Sequence, residues 1–230
     1  MAVGHVQNWT GVSSATGSAT ITGTAVTAGN WMVAAVRYVS GQSVDVVPSP
    51  FTSAFSRNNA PDGSTVLEVF IGKAVGGETS FEFGDSGTNM SVALTELSAI
   101  LATAPTDVSA SSESVAAAGC STGVTAATAQ ADSMALAFFC TSGGNVTSPS
   151  CADANGGAAY TLGSFAIVGA IHLYIAYKVL AATSTQEGTW SWTTARVSAS
   201  GILVLKGLAP GGGGGGGVNG SAQWTEQRRR

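Results

Sequence analysis

Four features of this chain have residue types that could do chemistry. The first is "GDSG", Gly84 to Gly87, a serine set between small residues as a nucleophile is in serine hydrolases. That mechanism needs a histidine base oriented by a buried acid. The chain has two histidines, His5 and His172, and neither stands in a context that supplies such a base. The stretch falls where a strand-to-strand turn is expected, and Gly, Asp and Ser are turn residues. The second is "CADANGG", Cys151 to Gly157, where Asp153 and Asn155 sit among glycines as at the start of a calcium loop. The later ligands of such a loop, including its bidentate glutamate, are missing. The third is the carboxylate pair Glu82 and Asp85, and one exposed pair is too little for glycoside hydrolysis. The fourth is the set of two histidines and three cysteines, whose spacing is not that of a zinc site. No nucleotide-binding glycine pattern stands at a strand–helix junction. The expectation is a chain with no catalytic residues, no metal and no cofactor.

Aromatic side chains offer another kind of site, a platform for sugar rings. Trp31, Trp190, Trp192, Tyr38, Tyr174 and Tyr177 are its candidates. Aromatics on strands more often fill cores, so the carbohydrate-binding module stands as an alternative reading. The cysteines, Cys120, Cys140 and Cys151, are odd in number and read as half-buried thiols. Cys140 and Cys151 flank a polar loop, which leaves open a pairing in an oxidising medium.

These side chains must be positioned by strands. Hydrophobic residues make up 44% of the 230 residues and charged ones only 10%, against roughly 25% in a typical soluble domain. Low charge with abundant small residues suits a surface partly covered by neighbours. Helical periodicity is absent. Short β-rich runs separated by turn residues recur instead, as in an all-β sandwich. "SATITGTAVT" alternates. "NWMVAAVRYV" sets Met32, Ala34, Val36 and Tyr38 on one face and Val33, Ala35, Arg37 and Val39 on the other. "TVLEVFIGKAV", "TSFEFG" and "NMSVALTELS" follow, and "APDG", Ala60 to Gly63, reads as a turn.

The second half replays this order. "DSMALAFFC" matches "NWMVAAVRY" with Met134 under Met32, and "IHLYIAYKVLAA" matches "VLEVFIGKAVGG" with Lys178 under Lys73. "TWSWTT" matches "SFEFGD" with Trp190 under Phe81, and "SGILVLKG" matches "SVALTELS". The pattern predicts an internal duplication. The expected fold is a jelly-roll-like antiparallel β-sandwich over residues 1–208, built from related halves at about 14–100 and 120–208. One half of about five strands would bury too little alone. "LATAPTDVSASSESVAAAGCSTG", Leu101 to Gly123, is small, polar and non-periodic, and reads as a crossover lying over the sandwich. In "IHLYIAYKVL" both faces are apolar, so the strand is covered on both sides or meets another subunit.

Residues 209–230 form a separate segment, a Gly-rich tail. Seven glycines, Gly211 to Gly217, precede Trp224 and the terminal Arg228, Arg229 and Arg230. Net charge is −4, and without those arginines six basic residues face thirteen acidic ones. An acidic body with a basic tip does not predict nucleic-acid binding, which shows a wide basic stripe. The chain start has neither a basic n-region nor an apolar run, so no secretory leader is expected. No stretch predicts a membrane helix, because His172 and Lys178 interrupt the most apolar one. Glycine costs roughly 0.5–1 kcal/mol more than alanine to order. A heptaglycine spans about 15 Å as a coil. The segment from Gly211 through Gly217 reads as a slender tether. Trp224 is then an apolar anchor, and Arg228, Arg229 and Arg230 are bidentate donors, together a docking arm for a partner.

Taken in order, "SATITGTAVTAGNWMVAAVRYVSG", "LEVFIGKAVGGETSFEFGDSG" and "MSVALTELSAI" resemble a β-sandwich unit common in virion proteins of tailed bacteriophages. The likeness covers roughly residues 14–208. The glycine run is similar to glycine-rich segments of minor tail proteins in phages of actinobacteria. The resemblance implies a structural virion component assembled in the host cytoplasm. It would be a minor tail or tail-tip protein, or a decoration protein of the head. Implied partners are other virion proteins and further copies of the chain as a homo-oligomer. A host cell-surface glycan is the implied target if the protein aids attachment. No membrane partner and no catalytic residue is implied.

Overall fold

The computed structural model describes residues 2–14, 17–39, 41–85, 87, 89–141, 143, 146–168 and 171–208. Among them are fourteen strands and no helix. The packed sheets are antiparallel throughout, so the protein is the all-β sandwich its sequence predicts.

The first eight strands are β1 (Gly4–Ser14), β2 (Ser18–Thr22), β3 (Trp31–Tyr38), β4 (Val44–Val46), β5 (Thr52–Asn59), β6 (Val66–Lys73), β7 (Ser80–Asp85) and β8 (Met90–Ser98). They form a five-stranded sheet in the order β1-β8-β3-β6-β5 and a three-stranded sheet in the order β2-β7-β4. The core between these sheets holds Met32, Ala34, Val36 and Tyr38 from one face of β3, with Ile21 from β2 and Phe81 and Phe83 from β7. Eight strands in two sheets is the strand count of a jelly roll. Here β5 joins the larger sheet, giving five and three.

The second half repeats the plan with six strands. These are β9 (Thr106–Ser121), β10 (Ser133–Thr141), β11 (Ser150–Asp153), β12 (Thr161–Val168), β13 (Ile171–Leu180) and β14 (Gly188–Leu205). The order β9-β14-β10-β13-β12 reproduces β1-β8-β3-β6-β5. Long β14 does the work of β7 and β8 together, and long β9 that of β1 and β2. Around Trp190, β14 pairs with Cys120 of β9 on one side and Cys151 of β11 on the other, as β7 pairs with β2 and β4. Trp190 and Trp192 face a core of their own with Phe139, Tyr174 and Ile202.

Two sequence expectations change here. The halves do not share one sandwich. Each closes its own, and the five-stranded sheet of the first half packs back to back with the six-stranded sheet of the second over a third core containing Val33, Ala35, Val69, Leu97, Leu136, Phe138, Ile175 and Leu203. This is why both faces of "IHLYIAYKVL" are apolar: β13 is covered on both sides. The crossover expected at Leu101 to Gly123 is mostly strand β9. Its alternation is carried by Ala and Ser, too small for hydropathy contrast to show.

The repeat is in register one residue away from the sequence match. Trp31 pairs with Lys73 and Leu97, while Met134 pairs with Val179 and Leu205. Met134 is therefore the counterpart of Trp31, not of Met32, and faces the shared core as Trp31 does. A one-residue slip moves every side chain to the other face. When both faces are buried, the sequence does not penalise that slip. Trp190 under Phe81 keeps its face, since both point into their own half's core.

Contacts between the halves come in reciprocal pairs. β1 meets β12 and β5 meets β9; β8 meets β13 and β6 meets β14; β3 meets β13 and β6 meets β10. Contacts that pair i with j and j with i are those of a two-fold axis.

Candidate functional site

His172, His5 and Asp153 are engaged in structural contacts. His172 is buried, and its Nε2 accepts the Val146 N–H at 3.1 Å. A nitrogen used that way is not a base for a serine. His5 Nε2 donates to Asn8 Oδ1 at 2.9 Å, and its ring stacks on Tyr177 at 4.3 Å. Gly84 lies in β7, and Ser86 lies outside the described residues. Glu82 is exposed on β7, opposite Thr20.

The Asp153 loop is closed on itself. Oδ1 accepts the Asn155 N–H at 3.0 Å, and Oδ2 accepts the Gly157 N–H at 3.1 Å and the Lys178 ammonium. That ammonium also lies 5.7 Å from the Tyr160 ring centre. Burial alone would raise the Asp153 carboxyl; Lys178 and the two backbone donors outweigh it and hold the carboxyl below its ordinary value. The Lys178 ammonium stands on the carboxylate that a calcium ion would use. Among the described residues no group of three or more His, Cys, Asp and Glu gathers as metal ligands.

The three cysteines are free thiols, all buried. Cys140 faces the shared core and Cys151 the second half's core, so the pairing left open in the sequence is not formed. Burial pushes the Cys140 thiol up to about 11 and raises Cys120 and Cys151 as well. The aromatic candidates are core too. Trp31, Trp190, Trp192, Tyr38 and Tyr174 are buried, and Tyr177 is half-buried under His5. They form no row open to a sugar.

What the fold does present is the seam where the halves meet. β12 runs beside β1, with Gly11 against the Phe165 carbonyl. A Cβ on Gly11 would collide with that carbonyl, so glycine permits the approach. β1 bulges between Trp9 and Val12, which interrupts its ladder with β8. Buried Ser164 of β12 fills the gap: its Oγ accepts the Leu94 N–H at 3.1 Å and donates to the Trp9 carbonyl at 2.6 Å. Above it opens a cleft of about 270 Å³ lined by Asn8, Trp9, Gly163, Ser164 and Phe165. Along the same strand Leu162, Phe165 and Ile167 are 43%, 51% and 44% exposed. β12 ends its sheet and, among the described residues, pairs with β13 alone. A second depression, of about 340 Å³, is walled by Lys178, Asp153 and Gln186.

Sequence patterning marks none of the seam residues as a site; the nearest signal is the apolar run that begins at Phe165. The docking-arm residues Gly211, Gly217, Trp224, Arg228, Arg229 and Arg230 lie outside the described residues. Comparison with protein-family models, curated proteins and solved structures finds no match to this chain.

Proposed function

We propose that this chain is a structural component of a bacteriophage virion, a minor tail or tail-tip protein that assembles with other virion subunits. The observation that carries the reading is how its polar residues are used. The histidine, aspartate and aromatic groups that chemistry would recruit are bonded to backbone or packed in cores. What faces outward is low-charge sheet and an apolar strand edge, which is surface for assembly rather than reaction. The strand order and composition that resemble phage β-sandwich units support the same reading. A capsid decoration protein is the near variant, differing in the lattice it contacts.

Particles purified from the producing host test the reading by mass spectrometry. The chain is expected at a fixed ratio to the tail proteins; its absence from intact particles overturns the proposal. Light scattering on the full chain beside one ended at Leu208 tests the arm. Assembly of the full chain alone supports it, and identical monomers remove self-assembly through the arm.

A further inference from the structure

The exposed apolar stripe on β12 is not a requirement of the fold, because the duplicated half does without it. Ala176 is the counterpart of Phe70 and His172 that of Val66, by the pairing that sets Met134 on Trp31. Leu162 pairs with Ala176 and Ile167 with His172; in the first half Ser53 pairs with Phe70 and Asn59 with Val66. Phe165 pairs with Tyr174, whose counterpart is Glu68, where β5 breaks register between Phe55 and Asn58. At matching positions, β5 is polar and β12 is apolar. Two strands at equivalent places in the two halves thus differ in what they show to solvent.

We infer that the stripe and its cleft are the seat of this chain's own C-terminal segment, with Trp224 entering beside Phe165. The inference rests on the docking-arm part of the proposed function and not on the virion. Its geometric support is where the body ends. The Leu208 N–H bonds the Ala99 carbonyl at 2.7 Å, and Gly207 packs on Val3 at the start of β1. From Val3, β1 runs to Trp9 and Gly11 at the cleft, about 20–26 Å of strand. Trp224 stands sixteen positions beyond Leu208. A glycine-rich coil of that length spans about 20–24 Å. Seven glycines keep side chains out of the path, and Trp224 is the one large aromatic beyond Leu208. The cleft offers the Phe165 ring for stacking and Asn8 Oδ1 as an acceptor for the indole N–H.

The experiment is the proton–nitrogen spectrum of the five indole groups in the full-length chain, with Trp224→Phe assigning the Trp224 signal. The test variant is Phe165→Ser with Ile167→Asn, which gives β12 the polar character of its twin. The Trp224 indole is expected away from its free-peptide position in the native chain and at that position in the variant. Unchanged signals from Trp31, Trp190 and Trp192, which do not line the cleft, report that the variant is folded. A docked signal that survives a hundredfold dilution places the segment on its own chain; one lost on dilution places it on a neighbour's stripe. A Trp224 signal at the free-peptide position in the native chain, or one displaced but indifferent to the β12 variant, overturns the inference. Loss of self-association in the β12 variant but not in Trp224→Phe assigns the stripe to a second copy's body instead, which also overturns it.

Discussion

Ser164→Ala tests how the two halves are joined. Ser164 is buried, and one hydroxyl serves two backbone groups that the β1 bulge leaves apart, the Leu94 N–H and the Trp9 carbonyl. Alanine fits the space but serves neither. Leaving a buried backbone group without its partner costs about 1–3 kcal/mol. Two such groups, partly relieved by relaxation, give an expected loss of about 2–4 kcal/mol, a large part of the roughly 5–15 kcal/mol that holds a domain folded. For a chain of this size that is a fall in Tm of about 4–16 °C. Urea unfolding followed by tryptophan emission measures it, with an unchanged m-value showing that stability alone has moved. Ser164→Thr keeps the hydroxyl and is expected to lose less. If Ser164→Ala unfolds within about 0.5 kcal/mol of the native chain, the bulge closes on its own and the seam is not held as described.

Leu203→Ala, in the core shared by both halves, is expected to cost about 2–5 kcal/mol, because the cavity lies between two packed sheets. The unfolding should remain one transition, and separate transitions for the two halves would show that the shared core does not couple them. The three thiols should resist a neutral-pH alkylating reagent in the native chain and all react in denaturant, since burial raises all three; labelling of any one in the folded protein, counted by mass, contradicts its placement. The Asp153 carboxyl is held below its ordinary value in the folded chain, so its contribution is present above the unfolded value near 4 and is lost as pH falls through the folded one. Asp153→Asn should remove that acid-limb dependence from the stability-versus-pH curve, and an unaltered curve would mean that Lys178 and the loop amides do not hold the charge.

Much of the fold was legible because β3 states it outright. Its alternation divides Met32, Ala34, Val36 and Tyr38 from Val33 and Ala35, and the structure sends those sets to two different cores. The same double burial hid the register, since a strand apolar on both faces matches its repeat equally well one residue out of step. It also hid the number of sandwiches. β1, with Gln7, Asn8 and Thr10, and β9, with its Ala and Ser, carry too little hydropathy contrast to read as strands. Without them each half reads as too small to close alone. The seam was illegible for another reason: Ser164 matters only because β1 bulges opposite it, a relation between residues 155 positions apart.

The reciprocal contacts explain why two halves share one chain. A single half would leave the outer face of its five-stranded sheet bare, with Val33, Ala35, Val69 and Leu97 in water. A face that large and apolar associates, and the simplest closed solution is a two-fold dimer. The chain has that dimer's contacts built in, β1 on β12 answered by β5 on β9. Joining the copies makes the association independent of concentration. It also lets the copies diverge, which identical subunits cannot do. Each place where they differ without a demand from packing is then a place where one copy was free to take on another task. β12 against β5 is such a place: each pairs with the counterpart of the other's neighbouring strand, and at matched positions Ser53 and Asn59 stand where β12 has Leu162 and Ile167. In a symmetric pair both edges would have carried the same residues. Among the described residues the apolar stripe stands on one of the two equivalent edges, and an edge used once would recruit one occupant where two would let copies chain together without limit.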